Sequence, residues 1–80
     1  DLDMKMVEAI AARLQEVMKE KNYNYYRIEK DGGIDRTTTS DIAQAKYKSV
    51  VINTLYSILQ TMGVPLKEFF DSPLFDDIAD

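Results

Sequence analysis

The chain holds no histidine and no cysteine, so its chemistry must come from carboxylates, cations, hydroxyls and amides. Thiolate zinc sites and disulfides are excluded, as are the common nucleophile–base pairs. No glycine-rich phosphate loop and no paired carboxylates in an evident pocket take their place. The sequence therefore predicts a non-enzymatic chain with no cofactor, metal or small-molecule substrate. What it offers instead is a run of hydrogen-bonding side chains in residues 33–46, G-I-D-R-T-T-T-S-D-I-A-Q-A-K. Threonine is a mediocre helix former, so three in a row are not there for intrinsic helix stability. Either tertiary contacts hold them or their hydroxyls are used. A helix over 36–44 would carry a polar face and leave Ile42 as its anchor.

The neighbouring residues say how that helix is placed. Asp35 stands where a side-chain oxygen can cap it. Upstream, residues 24–31 (N-Y-Y-R-I-E-K-D) make a second short helix, with Asn24 as its cap and Ile28 facing inward. Gly32 and Gly33 allow the positive φ that a sharp turn between helices needs. Tyr25 and Tyr26 fall in the first turn of the upstream helix, where the dipole and free N–H groups favour an anion such as phosphate. The Tyr25 ring either offers its hydroxyl there or packs half-buried against the first helix. Helix, glycine turn and polar helix together make the layout of a helix-turn-helix.

The remainder is a frame of apolar stripes. From Met6, the residues Val7, Ile10, Ala11, Leu14, Val17 and Met18 recur at helical spacing, with Arg13, Glu16, Lys19 and Glu20 mostly opposite. Asp3 is a candidate N-cap for this helix. Met4, Met6 and Met18 are packing residues. Lys46, Tyr47, Lys48 and Ser49 form a basic loop. A fourth helix over 51–62 presents Val51, Leu55, Ile58, Leu59 and Met62 inward and stops at Gly63. Pro65 opens a fifth, with Leu66, Phe69 and Phe70 buried. In the tail, Leu74, Phe75 and Ile78 lie among aspartates; they fold back on the first and fifth helices or bury in a second subunit. The expected fold is all-α, a compact five-helix domain spanning 1–80, with its core over about 6–71 and a tail over 72–80.

Net charge is −4, which counts against a strong attraction to nucleic acid. The acidity is uneven: residues 1–21 balance to −1, residues 22–50 to +1, and residues 51–80 to −4. The central segment is thus the least acidic. No apolar run reaches the length of a membrane span, and the lack of cysteine suits a reducing cytosol. A cytoplasmic location is expected, without membrane contact.

In its ordered motifs the chain resembles the phage repressor and Cro-like (Xre) helix-turn-helix family, over roughly residues 6–71. Members commonly read S-Q-x-x-L-A-x-x-x-G-I-S-x-x-T-I-S-x-I, then T-L-x-x-I-A-x-x-L-G-V-x-x-x-x-F after a basic loop. Asn24, Tyr25, Ile28, Glu29, Gly33, Ile34, Asp35, Thr38, Thr39, Ser40 and Ile42 stand at the first set of positions. Thr54, Leu55, Ile58, Gly63, Val64, Phe69 and Phe70 stand at the second. Tyr25 replaces a glutamine, Glu29 a small alanine, Thr39 an apolar residue and Ala45 a helix-ending glycine, while Val50 and Val51 replace a proline and a polar cap.

The resemblance implies a lambda-repressor-like fold and a sequence-specific transcriptional regulator of double-stranded DNA, acting as a homodimer on half-sites ~10 bp apart. It assigns Arg36, Thr37 and Asp41 to base edges: guanine for Arg36, several bases or a thymine methyl for Thr37, cytosine N4 for Asp41. It assigns Tyr25, Ser40, Lys46, Tyr47 and Lys48 to phosphates. Thr38 is expected as a turn-stabilising, largely buried hydroxyl, and Leu74, Phe75 and Ile78 as candidate dimer contacts. The departures also fit a degenerate helix-turn-helix that serves as a protein-interaction module, antitoxin-like or a scaffold subunit.

Overall fold

A computed structural model describes residues 4–80; the expected cap Asp3 lies outside them. The order of elements is α1 (Met6–Glu20), α2 (Tyr25–Gly32), α3 (Arg36–Ala43), α4 (Ile52–Met62) and α5 (Leu66–Phe70), followed by a 3-10 turn at Pro73–Phe75. Among the described residues there is no strand, only a parallel bridge between Met4 and Ile78. The architecture is the expected five-helix domain. No helix among the described residues is long and apolar enough to cross a membrane.

The stripe on α1 buries Ala9, Ile10, Ala11, Leu14, Val17 and Met18, while Val7 stays half-exposed at the helix entry. Arg13 corrects its expected outward placement. Its side chain is only 15% exposed, and its Nε and Nη2 donate to the carbonyls of Phe69 and Glu68 at 2.8 and 2.9 Å. Those carbonyls lie at the end of α5, where the Glu68 carbonyl also accepts from the Asp71 N–H at 3.3 Å, so the guanidinium completes the closure of that helix end.

Each turn follows from a specific residue. The Asn24 side chain accepts from the Arg27 N–H at 2.8 Å, capping α2 as expected. Gly33 ends α2 at φ 77. Gly32 is required for space: a Cβ there would overlap the Thr61 hydroxyl on α4 and reach within 2.9 Å of the Ile34 methyl. Asp35 occupies the N-cap position of α3, but its side chain makes no capping hydrogen bond. The helix α3 ends one residue before the expected Gln44, α4 begins one after Val51, and Pro65 stands at the cap of α5 rather than inside it.

The core forms where the stripes meet. Ile28 of α2, Ile42 of α3, and Leu55, Ile58 and Leu59 of α4 surround Leu14 and Phe69, all of them buried. Burial of a large apolar side chain contributes roughly 1.5–3 kcal/mol, so this cluster supplies most of the fold's driving force. Phe69 meets Phe70 edge-on at 5.0 Å between ring centroids, and Phe75 lies 4.9 Å from Phe70. The tail runs back along its own chain: the Ala79 N–H donates to the Met4 carbonyl at 2.8 Å, and the Asp80 carboxylate accepts from the Met6 N–H at 2.9 Å. Leu74, Phe75 and Ile78 are all partly buried in this position.

Candidate nucleic-acid interface

Burial fixes the rotation of α3. Thr39, Ile42 and Ala43 are its buried residues, and at 100° per residue they define one side of the helix. Thr37 and Gln44 lie opposite, with Ser40 and Asp41 on either flank. Thr37 and Gln44 are exposed, whereas Ser40 and Asp41 are partly covered. The amide of Gln15 on α1 donates to the Ala43 carbonyl, which ties the end of α3 to the frame. An outward row of hydroxyl, carboxylate and amide groups is therefore presented by a helix whose other side is fixed.

The charged groups around this row are paired within the chain. Arg36 Nε lies 2.7 Å from a Glu29 carboxylate oxygen on α2, and its guanidinium carbon lies 5.5 Å from the centroid of the Tyr26 ring. Glu29 thus takes up the place of a small alanine by pairing across the α2–α3 turn. Asp41 lies 3.9 Å from Lys46 Nζ, which has turned back from the loop. Both pairs include exposed partners, where ion pairs are weak and exchangeable. Arg36 and Lys46 can therefore be released to an external acceptor at small cost.

The remaining expected residues sit as follows. The Tyr25 ring is half-buried and packs against the core. The Ser40 hydroxyl accepts from the Gln44 amide at 2.9 Å. Lys46, Tyr47 and Lys48 are exposed on the loop, and the Tyr47 ring lines a cleft of about 190 Å³ with Thr38, Ile42, Val50, Val51 and Thr54. Lys48 takes part in no ion pair among the described residues. The buried hydroxyl of α3 belongs to Thr39, not to Thr38 as expected. Thr39 is fully buried, and its Oγ1 has no hydrogen-bond partner. Thr38 is half-exposed at the cleft wall.

Sequence reasoning missed two residues. Gln44 belongs to the outward row, and its spacing of seven from Thr37 would have found it. Lys5 lines an open cleft with Lys46 and Lys48, a meeting of chain start and loop that no local signal announces. Among the described residues, no cluster of carboxylates could hold a metal ion.

This polar helix, held one turn away from α2 on a five-helix frame, defines a helix-turn-helix domain. A family model described as the Cro/C1-type HTH DNA-binding domain matches residues 13–73, and the chain belongs to that family. Two solved structures are similar in fold, both of single-substitution mutants of the restriction-modification controller protein C.Esp1396I. One aligns with a TM-score of 0.75 at 18% identity, over 81% of this chain and 85% of that one. The other aligns with a TM-score of 0.76 at 19% identity, over 86% of each. A search of curated protein sequences finds no match.

Proposed function

We propose that this chain is a transcriptional regulator that reads double-stranded DNA as a homodimer, with α3 in the major groove. The observation that carries this reading is the outward row on α3, Thr37–Asp41–Gln44, with Arg36 at one end and the Lys46–Lys48 loop at the other. Arg36, Thr37 and Asp41 read base edges. Tyr25, Ser40, Lys46, Tyr47 and Lys48 hold phosphates. Release of Arg36 from Glu29 frees its fork for guanine O6 and N7. Release of Lys46 by Asp41 adds a phosphate contact and leaves the carboxylate to accept from cytosine N4.

The test is selection from random duplexes at low salt, followed by a salt series on what is retained. A short palindrome should be enriched. Its affinity should fall with salt by a slope of about −0.9 for each phosphate neutralised. Thr37→Ala and Asp41→Ala should each cost ~1–3 kcal/mol at one base position, while Lys48→Ala should weaken all sequences alike. Absence of enrichment at low salt sinks the proposal.

The internal pairing of Arg36 with Glu29 and of Asp41 with Lys46 favours a second reading, a protein-interaction module that needs no free cations on α3. Partner capture that is indifferent to Arg36→Ala, together with no selected DNA, would establish it.

A further inference from the structure

The chain has three arginines, and their guanidinium groups are engaged differently. Arg13 donates to the carbonyls of Phe69 and Glu68. Arg27 lies over the Tyr23 ring at 4.0 Å, pairs with Asp31 at 3.5 Å and donates to the Asn22 carbonyl at 3.0 Å. Arg36 has a ring and a carboxylate beside it but no such acceptor. Its guanidinium carbon lies 5.5 Å from the Tyr26 ring centroid, and its Nε lies 2.7 Å from a Glu29 oxygen. Among the described residues its side chain donates no hydrogen bond of good geometry. A ring face and a counter-charge engage the charge of a guanidinium. They leave the Nη donors at its edge free.

We propose that Glu29 is a specificity-determining residue, which compensates the charge of Arg36, leaves its donors free, and so reserves it for a base edge rather than a phosphate. The inference rests on the regulator reading above, in which Arg36 reads guanine. Two kinds of acceptor compete for an arginine on duplex DNA. Phosphate attracts it through charge and carries no sequence information. The O6/N7 edge of guanine is neutral and selects a matched pair of donors. A carboxylate fixed beside the guanidinium disfavours the first kind, because a phosphate brought to Arg36 is brought to Glu29 as well and like charges then face each other. Against the neutral guanine edge that repulsion is small. The Glu29 side chain is 35% exposed and that of Arg36 59%, so the carboxylate is the more firmly seated partner. It stays on α2 when Arg36 swings free, and its charge remains at the turn. Asp35 lies in the same turn, exposed, and pairs with no cation among the described residues. It adds to the general field without acting on one guanidinium.

The experiment compares wild type, Glu29→Gln, Glu29→Ala and Asp35→Asn on the duplex that wild type selects and on a mixed-sequence duplex, across a salt series. The fold does not rest on this exchangeable pair, so all four chains should melt alike. Glu29→Gln should tighten mixed-sequence binding about tenfold at low salt and steepen its salt slope by about 0.9, because one more phosphate is neutralised. Binding to the selected duplex should change less than about threefold, since Arg36 is engaged with guanine there. The ratio of the two affinities therefore falls. Selection repeated with Glu29→Gln should lose the guanine preference at the position read by Arg36 and keep the others. Glu29→Ala should act in the same direction. Asp35→Asn should tighten both duplexes alike and keep the wild-type ratio. In an Arg36→Ala background, Glu29→Gln should leave the ratio unchanged, because the effect runs through that side chain. The inference is overturned if both Glu29 variants keep the wild-type ratio and guanine preference, if they weaken both duplexes alike, or if Asp35→Asn lowers the ratio as much. Each of those results leaves the regulator reading standing. A wild-type chain that selects no sequence overturns both.

Discussion

The helices α3 and α4 end in the same way and are held very differently. In α3 the Lys46 N–H reaches the Asp41 carbonyl at 2.9 Å, and the Ala45 N–H reaches Ile42 at 3.2 Å. In α4 the Val64 N–H reaches Leu59 at 2.9 Å, and the Gly63 N–H reaches Gln60 at 3.0 Å. Both are Schellman closures, with one residue in the left-handed region after the helix. That residue is Gly63 at φ 73 in α4 and Ala45 at φ 57 in α3. Above the closures, α4 buries Leu55, Ile58, Leu59 and Met62, whereas α3 buries Thr39, Ile42 and Ala43. One helix satisfies local and tertiary preferences together. The other carries an alanine in a strained conformation, a buried hydroxyl without a partner and a single large apolar anchor. In this chain the local conflicts gather on α3 and the larger apolar contacts gather on α4.

The comparison is broken most forcefully on its stable side. Leu59→Ala removes a fully buried side chain from α4 and leaves a cavity against the core cluster. The expected loss is ~2–5 kcal/mol, a large part of the roughly 4–12 kcal/mol that a domain of this size commands. Urea denaturation should show the midpoint falling with an unchanged slope. Thr37→Ala on the exposed row of α3 should move stability by no more than ~0.5 kcal/mol. A comparable loss at Thr37 would mean that the outward row of α3 is part of the frame, and the contrast would fail.

The contrast sharpens at Thr39. Its hydroxyl is buried without a partner, a condition that costs about 1–3 kcal/mol in proteins. Thr39→Val keeps the branched shape and removes the orphaned group. An increase in stability of ~1–2 kcal/mol is expected, read as a melting temperature higher by roughly 4–8 °C per kcal/mol. A lower melting temperature would show that the hydroxyl has a partner, and α3 would then be as well satisfied as α4.

Much of this frame was legible in the sequence because its signals are local. The apolar spacings placed α1 and α4, Asn24 announced the cap of α2, and Gly33 and Gly63 announced the helix stops. Thr39 was half-legible: it precedes Ile42 by three and Ala43 by four, so periodicity alone marks it as inward, although the buried hydroxyl was expected at Thr38. What local pattern could not carry were contacts made across the chain. Arg13 has the spacing of a solvent-facing residue, yet it donates to the last-turn carbonyls of α5 more than fifty positions away, a contact set by how α1 and α5 pack. The Glu29–Arg36 pair depends on the angle of the turn between them, and the packing of the tail depends on where Met4 lies. Charge showed the same limit. The central balance of +1 hid the pairing of two of its five cations against carboxylates at the site itself.

The smallest expected effect is also the most direct exchange between the two helices: Ala45→Gly gives α3 the residue that α4 already has. An L-residue in the left-handed region costs roughly 1–2 kcal/mol, and glycine loses ~0.5–1 kcal/mol more backbone entropy than alanine on folding. The first term wins, and a net gain of about 0.5–1 kcal/mol is expected, measured as a rise in urea midpoint. The reciprocal change, Gly63→Ala, should lose stability by a similar amount, since a Cβ there meets nothing within 4 Å and only the backbone conformation resists it. If Ala45→Gly leaves the midpoint unchanged, the closure after α3 is not strained in solution. The conflict on α3 then reduces to Thr39 alone.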